Sequence, residues 1–285
     1  MIPLLKVISL GSGLSLQDGG RVGLRRFGVA PGGFLDRELA TLANRLVGNV
    51  PDLPVLEISL QGAILEVLAT CRFAVSGSDG LRQMLANSSQ VFKAGDRLVF
   101  DRRSNVAYTY LAVEGGFHGK RVFGSVSVDS RAGIGEGIER GSIIVSNFNC
   151  MPDSDSRFGR RIACREIIPD RETQSPFRLL PGPHVNLFRE DQLDTVSQVK
   201  WTVSNYKDRT GLRLEGAKTL ANSISVNSFP VALGSMQITP AGQPIVTLND
   251  GPTVGGYPVI GILKEKDRYR LSQSISGSPV QFQWA

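Results

Sequence analysis

The sequence is poor in the residues that build common catalytic centres. Its 285 residues include two histidines and three cysteines. A zinc site of several histidines is therefore excluded, and a Ser-His-Asp arrangement would have to use His118 or His184. Neither histidine lies in a GxSxG context, so we interpret His118 as a loop or sheet-edge residue and His184 as a surface residue.

The sequence also lacks cysteine motifs and long apolar runs. Cys71, Cys150 and Cys164 fit neither CxxC nor another metal-ligand spacing, and we interpret them as buried or idle thiols in a reducing compartment. No apolar run approaches the ~20 residues of a membrane-spanning helix. The apolar segment 2–10 is broken by Lys6 and has no basic region before it, unlike a signal peptide. We therefore expect a cytoplasmic protein that does not enter a membrane.

Basic residues are more numerous than acidic ones, 32 against 26, but they are scattered along the chain. The nearest approach to a cluster is a group of arginines with one aromatic residue among them, at 157–165. Such a group is either a nucleic-acid patch or a solvated loop. Surface charge is so ordinary that we favour the loop and expect no nucleic-acid partner.

Short strand-like segments punctuated by Gly, Pro, Asn and Asp dominate the sequence, which favours barrels or sandwiches over βαβ units. The predicted strands are 55–60, 63–68, 72–76, 97–101, 107–113, 142–146, 201–204, 235–238, 244–248, 257–263 and 280–284.

Helical periodicity is confined to two short segments. Apolar residues recur at helical spacing over 36–47, and a shorter helix is predicted at 189–197. A polar stretch at 151–176 separates a β-rich half, 1–150, from a second one, 177–285. The fold class predicted is therefore mostly β, with few short helices.

The connection at 250–258 contains more polar functional groups than a hairpin turn requires. It supplies the carboxylate of Asp250, the hydroxyl of Thr253, the paired glycines Gly255 and Gly256, and the phenol of Tyr257. A two-residue turn would be satisfied by Asn-Gly or Asp-Gly. Because functional residues concentrate on loops, we expect this one to touch a ligand or a partner.

Two arginines precede this loop in the second half. On a strand, Arg209, Gly211 and Arg213 would share one face, where two guanidinium groups can hold a carboxylate by forked hydrogen bonds. They are equally well explained as the polar face of an ordinary amphipathic strand. Gln237, on a neighbouring predicted strand, would add an amide to the same cleft.

A second polar cluster begins near residue 17. Gly32 and Gly33 precede the predicted helix, and paired glycines in that position leave N–H groups open to an anion. The alternative is that the two glycines turn the chain and Asp36 caps the helix.

The loop before these glycines carries further polar side chains. Gln17 and Arg21 would help to hold a carboxylate or phosphate in such a site. Asp18 and Arg21 are alternatively the two halves of an internal salt bridge.

Six segments stand in the order expected for a known family. They are 17–21 (QDGGR), 31–36 (PGGFLD), 43–49 (ANRLVGN), 208–216 (DRTGLRLEG), 234–244 (GSMQITPAGQP) and 250–258 (DGPTVGGYP). Over about residues 13–282 the chain resembles the C subunit of bacterial ATP-dependent 5-oxoprolinase. The same family carries the labels biotin-dependent carboxyltransferase-like, allophanate hydrolase subunit 2 and antagonist of a sporulation-kinase inhibitor.

The resemblance implies two cyclophilin-like, β-barrel-like halves and an ATP-dependent opening of the 5-oxoproline lactam to glutamate. It implies action with the B subunit, which is a homologue of the kinase inhibitor, and with the A subunit. It also implies that ATP is shared with a partner protein. Two alternatives stay open. One is a carboxyltransferase that meets biotin on a separate carrier and acts on a urea-like amide; the other is a non-catalytic regulator of a kinase-inhibitor homologue.

The resemblance also suggests roles for particular residues. Asp250 is the candidate acid or base, Arg209 and Arg213 would stabilise developing charge, and Tyr257 would donate a hydrogen bond. The candidate substrate-binding residues are Gln17, Asp18, Arg21, Gly32, Gly33, Asp36, Gln237, Thr253, Gly255 and Gly256.

Polar positions of the family motifs are altered in this chain. Val126 replaces the usual arginine of a GSRST segment. Pro252 and Val254 replace an amide and a hydroxyl in the loop at 250–258. Because glycines are kept while polar groups are lost, both an altered substrate and a loss of activity stay open.

Overall fold

A computed structural model describes residues 1–59, 62–77, 81–100, 106–146, 176–216, 220–221 and 223–285. The chain forms two compact units. Unit 1 comprises Met1–Arg21 and Gly32–Pro169, and unit 2 comprises Val22–Pro31 and Asp170–Ala285. The predicted polar connection 151–176 lies outside the described residues except at its last position, and so does the arginine group at 157–165.

Unit 1 contains two antiparallel sheets. Their strands are β1 (Ile2–Leu10), β2 (Leu14–Gln17), β3 (Val55–Ser59), β4 (Ala63–Val67), β5 (Cys71–Ser76), β6 (Ser88–Phe92), β7 (Arg97–Val99), β8 (Tyr108–Val113) and β9 (Ile143–Ser146). One sheet has the order β7-β4-β1-β9 and the other β2-β3-β8-β5-β6.

The two sheets of unit 1 contribute to one hydrophobic core. Leu5 and Val7 from β1 belong to the same buried cluster as Leu56, Phe73 and Leu111 from the other sheet. Along β4 buried and partly exposed residues alternate, which is the pattern of a strand with one face on a core. Burial of this shared face holds the sheets together.

Helix α1 (Arg37–Leu46) lies over strands β5 and β8. The Asp36 carboxylate accepts a hydrogen bond from the N–H of Leu39, so the predicted helix 36–47 is confirmed to within one residue at each end. From the last turn of the helix, Asn44 donates to the carbonyls of Pro51 and Leu53 in the connection that follows. The 43–49 motif therefore has a structural role, because Asn44 holds the connection between α1 and β3.

Unit 2 is built on an eight-stranded sheet with the order β18-β11-β12-β15-β14-β17-β10-β19. The strands of the unit are β10 (Phe177–Pro181), β11 (Trp201–Lys207), β12 (Gly211–Glu215), β13 (Phe229–Pro230), β14 (Ser235–Ile238), β15 (Pro244–Thr247), β16 (Val254–Gly255), β17 (Val259–Leu263), β18 (Pro279–Val280) and β19 (Phe282–Trp284). Strands β13 and β16 pair separately as a two-stranded sheet.

The eight-stranded sheet is nearly closed into a barrel. Its two edge strands, β18 and β19, are separated in sequence by the single residue Gln281. One continuous segment thus pairs with β11 at one edge and with β10 at the other. Closure leaves few unpaired edge groups. The prediction of a mostly β, barrel-like fold is confirmed.

The described residues of unit 2 form two further helices. Helix α2 (Glu190–Gln198) matches the helix predicted at 189–197, whereas α3 (Glu265–Ser272) was not predicted. Within the described ranges, no helix is long and apolar enough to cross a membrane.

One expectation about cysteine is wrong. Cys71 is fully buried at the start of β5 and is disulfide-bonded, so it is not an idle thiol. Cys150 and Cys164 lie outside the described residues.

Candidate functional site

The predicted site residues are divided between the two units. Unit 1 contains Gln17, Asp18, Arg21, Gly32, Gly33 and Asp36, and unit 2 contains Arg209, Arg213, Gln237, Asp250, Thr253, Gly255, Gly256 and Tyr257. The roles predicted for these residues stay predictions; what the structure adds is their surroundings, unit by unit.

Asp18 is a buried carboxylate held by the segment that follows Phe123. Its Oδ1 accepts hydrogen bonds from the hydroxyls of Ser125 and Ser127, the latter at 2.7 Å. Its Oδ2 accepts from the N–H of Val126 at 2.9 Å and lies 3.9 Å from the Arg121 guanidinium. Hydrogen-bond donors replace the water that a carboxylate loses on burial. The charged partner of Asp18 is thus Arg121, in place of the predicted Arg21.

Arg21 and Gln17 donate hydrogen bonds to main-chain carbonyls of residues 122–128. The Arg21 guanidinium donates to the carbonyl of Val122 at 3.3 Å and to that of Ser127. The Gln17 amide donates to the carbonyl of Val128 at 3.0 Å. Both side chains are buried, so their polar atoms tie loops of unit 1 together.

The N–H groups that follow the paired glycines are bonded within the chain. Gly32 and Gly33 have φ values of 61° and 80°, the left-handed region that favours glycine. The N–H of Phe34 donates to the carbonyl of Asp18, and the N–H of Leu35 to the Glu57 carboxylate at 3.0 Å. The interpretation of the glycines as a turn and of Asp36 as a helix cap is therefore supported.

Sequence reasoning missed the buried pair that supports this turn. The Tyr110 hydroxyl donates to Glu57 at 2.9 Å and accepts from the N–H of Asp36 at 2.8 Å. Burial, and then the charge of Glu57, raise the pKa of Tyr110 well above its usual value. Strands β3 and β8 are buried at nearly every position, and their sequences gave no sign that a carboxylate and a phenol would pair here.

In unit 2, the Arg209 guanidinium donates hydrogen bonds to both carboxylate oxygens of Asp250. Nε lies 2.7 Å from one carboxylate oxygen and Nη2 lies 3.1 Å from the other. The side chains are 17% and 5% exposed, so this is a largely desolvated ion pair. The sequence predicted both residues as site residues but did not predict that they pair. The ion pair fixes the orientation of the Asp250 carboxylate.

Arg209 and Arg213 do not share a strand face. Arg209 lies in the turn before β12, where Asp208 accepts hydrogen bonds from the N–H groups of Thr210 and Gly211. Arg213 is exposed on β12, with its guanidinium 5.6 Å from the centre of the Tyr206 ring. The expectation of two arginines on one face fails because the Asp208 turn ends the strand after Lys207.

Gln237 brings an amide against the 250–258 loop. Its Nε2 donates to the Thr247 hydroxyl at 3.0 Å. A Cβ on Gly255 would lie 3.0 Å from the Gln237 Oε1 and 2.9 Å from Val231. The glycine therefore permits close approach of the loop to the buried amide.

The rest of the loop is more open. The carbonyl of Thr253 accepts a hydrogen bond from the N–H of Val231, whereas Gly256 is exposed and a Cβ there would meet nothing closer than 3.9 Å. Tyr257 is 44% exposed, so its phenol is available to solvent and ligands.

The histidines lie in different settings. The Nδ1 of His184 accepts from the N–H of Val259 at 3.1 Å, and its ring packs on Phe229, so this residue supports the fold and is not a plain surface residue. The N–H of His118 bonds to the carbonyl of Val145 in β9, which agrees with a sheet-edge position.

His118 also borders a cavity of about 520 Å³ in unit 1. The lining includes the charged residues Lys120 and Glu136 and the apolar Val126. Position 126, where the family typically has an arginine, thus lies in the wall of this cavity, and Val126 makes that part of the wall apolar.

These features define a protein of two β-rich units, and the chain belongs to the carboxyltransferase domain family, subdomains A and B, whose profile matches residues 27–284. It is 33% identical to the 5-oxoprolinase C subunit of Escherichia coli (strain K12), over 98% of this chain and 90% of that protein. It is 31% identical to the 5-oxoprolinase C subunit of Haemophilus influenzae, over 98% of this chain and 91% of that protein.

A solved structure shares the fold. The urea amidolyase of K. lactis superposes with a TM-score of 0.83 at 25% identity, over 98% of this chain. This chain spans only 18% of the length of that amidolyase chain. The same fold is thus present within a much longer protein.

Proposed function

We propose that this chain is a subunit of an ATP-dependent 5-oxoprolinase-like complex in which 5-oxoproline is opened to glutamate. Support comes from similarity to two 5-oxoprolinase C subunits over nearly the whole chain. The observation that carries the proposal is the desolvated Arg209–Asp250 pair, beside a loop with an exposed phenol.

In this proposal each side chain has a distinct task. Arg209 orients Asp250, whose carboxylate moves a proton to or from the lactam or its attacking water. The amide of Gln237 is suited to a lactam, because amides both donate and accept hydrogen bonds. Tyr257 donates a hydrogen bond from the loop. Arg213 is assigned to charge stabilisation at the exposed end of the site.

ATP is a substrate of the proposed complex. The turn at Gly32 and Gly33 is a poor fit for its phosphates, since the N–H groups of Phe34, Leu35 and Asp36 already have partners in the chain. The proposal therefore assigns ATP to a surface shared with a partner protein. The partners are homologues of the 5-oxoprolinase A and B subunits, the latter related to the kinase inhibitor, in a cytoplasmic complex.

The test is co-expression of this chain with its A-subunit and B-subunit homologues. The purified complex is assayed for ADP release and for glutamate formation, with and without 5-oxoproline. Equal amounts of the two products, formed only when all three proteins are present, are expected. A stable complex that releases no 5-oxoproline-dependent ADP would refute the proposal and favour a regulator.

A second candidate function is carboxyl transfer to a urea-like amide. It is favoured by the family profile and by the shared fold of the K. lactis urea amidolyase. In this case biotin arrives on a separate carrier and Gln237 binds the amide. Urea-dependent loss of the carboxyl group from a carboxylated biotin carrier, with no response to 5-oxoproline, would identify it.

A further inference from the structure

Unit 2 contains two buried or partly buried arginines whose hydrogen-bond acceptors are uncharged. Arg25 begins the short 3-10 turn Arg25–Phe27, and its Nη2 donates to the carbonyls of Val231 and Pro252. Arg268 lies in α3 and is only 7% exposed, and its Nη1 donates to the side-chain oxygen of Asn249.

In the described part of the chain, neither guanidinium has a hydrogen bond to a carboxylate. Arg25 bonds to two main-chain oxygens. Arg268 bonds to Asn249 and lies over the ring of the neighbouring Tyr269. Burial, and then the charge of Arg268, lower the pKa of Arg25. Burial likewise lowers the pKa of Arg268, against the opposing effect of Tyr269 and Glu265. Two like charges therefore lie close enough to repel each other where water is scarce.

The Nη1 atom of Arg25 adds a geometric observation. Among the described residues it is buried and has no hydrogen-bond acceptor. A buried donor without an acceptor loses its hydration without replacement, and for a charged group that cost is larger. An oxyanion would supply the missing acceptor and would add negative charge to that of Glu265, which already acts on Arg268.

We propose that Arg25 and Arg268 form a binding site for a small oxyanion, a carboxylate or a phosphate group. Two guanidinium groups present forked N–H donors that match the oxygens of either ligand. Asn249 holds Arg268 in place, and the carbonyls of Val231 and Pro252 hold Arg25. Arg25 is only partly buried, so part of its side chain reaches the surface of unit 2.

This site is separate from the Arg209–Asp250 pair, although Asn249 is the chain neighbour of Asp250. It does not depend on the proposed reaction: an oxyanion from a substrate, a product or a metabolite would satisfy the same donors. Its affinity can therefore be measured with this chain alone.

The experiment is calorimetric titration of the full chain with inorganic phosphate and, separately, with 5-oxoproline as a carboxylate probe, at constant ionic strength set by sodium chloride. Arg25→Gln and Arg268→Gln should each weaken binding by about tenfold or more, because each removes a charge-assisted hydrogen bond. The control is Arg26→Gln, which removes the same charge from the exposed neighbour of Arg25 and should leave affinity within about twofold.

Each possible result either supports or overturns the proposed oxyanion site. Binding of either probe, or of both, supports the site if Arg25→Gln weakens it by about tenfold while Arg26→Gln leaves it within about twofold, and the probe that behaves in this way names the ligand group. Binding of neither probe, or equal affinity in the wild type and in Arg25→Gln, overturns the proposal. If Arg268→Gln fails to fold, Arg25→Gln and Arg25→Lys retain the test, with circular dichroism confirming that they are folded.

Discussion

Each unit contains a cluster with buried charge, and the two clusters differ in how that charge is stabilised. One surrounds Asp18 in unit 1, and the other contains Arg25 and Arg268 in unit 2. Asp18 is one carboxylate that receives hydrogen bonds from two hydroxyls and from the main-chain N–H groups of Gly20 and Val126. The two arginines donate to neutral oxygens and repel each other. The first cluster is complete within the chain and stabilises unit 1, whereas the second is completed by a ligand.

The largest effect is expected from breaking the complete cluster. Asp18→Ala leaves the hydroxyls of Ser125 and Ser127 and the N–H of Val126 without their acceptor, so the free energy of unfolding should fall by about 3 kcal/mol. Urea denaturation measures it. Asp52→Ala, which removes an exposed carboxylate bound to Arg37, should cost less than about 1 kcal/mol. Equal losses would contradict a structural role for Asp18.

Tyr110→Phe should cost about 2 kcal/mol at neutral pH, since Glu57 and the N–H of Asp36 both lose a partner. The raised pKa of Tyr110 also predicts a pH dependence. Above pH ~10 the unfolded chain loses the phenol proton while the folded chain keeps it, so stability falls as pH rises.

The variant lacks this contribution, and its unfolding free energy should therefore fall less steeply between pH ~10 and higher values. The exposed Tyr257→Phe serves as the control for the loss of a phenol hydroxyl, and it should leave the free energy of unfolding at neutral pH nearly unchanged. Parallel stability curves for the wild type and Tyr110→Phe would exclude Tyr110 as a source of the pH dependence.

A smaller effect is expected where the loop of unit 2 meets its buried amide. Gly255→Ala places a Cβ within 3.0 Å of Gln237 and Val231, so it should lower the free energy of unfolding by about 1 kcal/mol and displace the loop. Gly256→Ala is the matched control, because its Cβ would have space. Thermal unfolding of the two variants measures the difference, and indistinguishable Tm values would show that the approach is not tight.

The smallest effect is expected for Arg213→Ala. The guanidinium lies over Tyr206 on an exposed strand face, where such a contact contributes about 0.5 kcal/mol. Urea denaturation should therefore barely distinguish this variant from wild type. A loss of several kcal/mol would reveal a structural role that the exposed position does not suggest.

Most strand positions followed from local sequence. Segments such as Ser235–Ile238 carry their own alternation or apolar run and their own turn residues, and α1 carries both periodicity and a cap. The helix at Glu265–Ser272 escaped detection because its buried residues include Asp267 and Arg268, which look like surface residues in the sequence.

The charged groups near the loop at 250–258 could be predicted only in part. Arg209 and Asp250 were selected from their motifs, but their pairing depends on the turn before β12. Arg25 is more than 240 positions from Arg268 in sequence, and no local pattern connects residues so far apart. Spatial proximity of that kind follows from the strand order, which the sequence of one chain does not state.

The most direct measurement compares 5-oxoproline-dependent ADP release by co-purified complexes that carry Asp250→Asn or Asp52→Asn. Both aspartates receive two hydrogen bonds from an arginine, but only Asp250 is desolvated. Turnover should fall about a hundredfold or more in Asp250→Asn and stay within about twofold in Asp52→Asn, since the proposed function assigns the proton transfer to Asp250. Equal turnover in the two variants would contradict the assignment of Asp250.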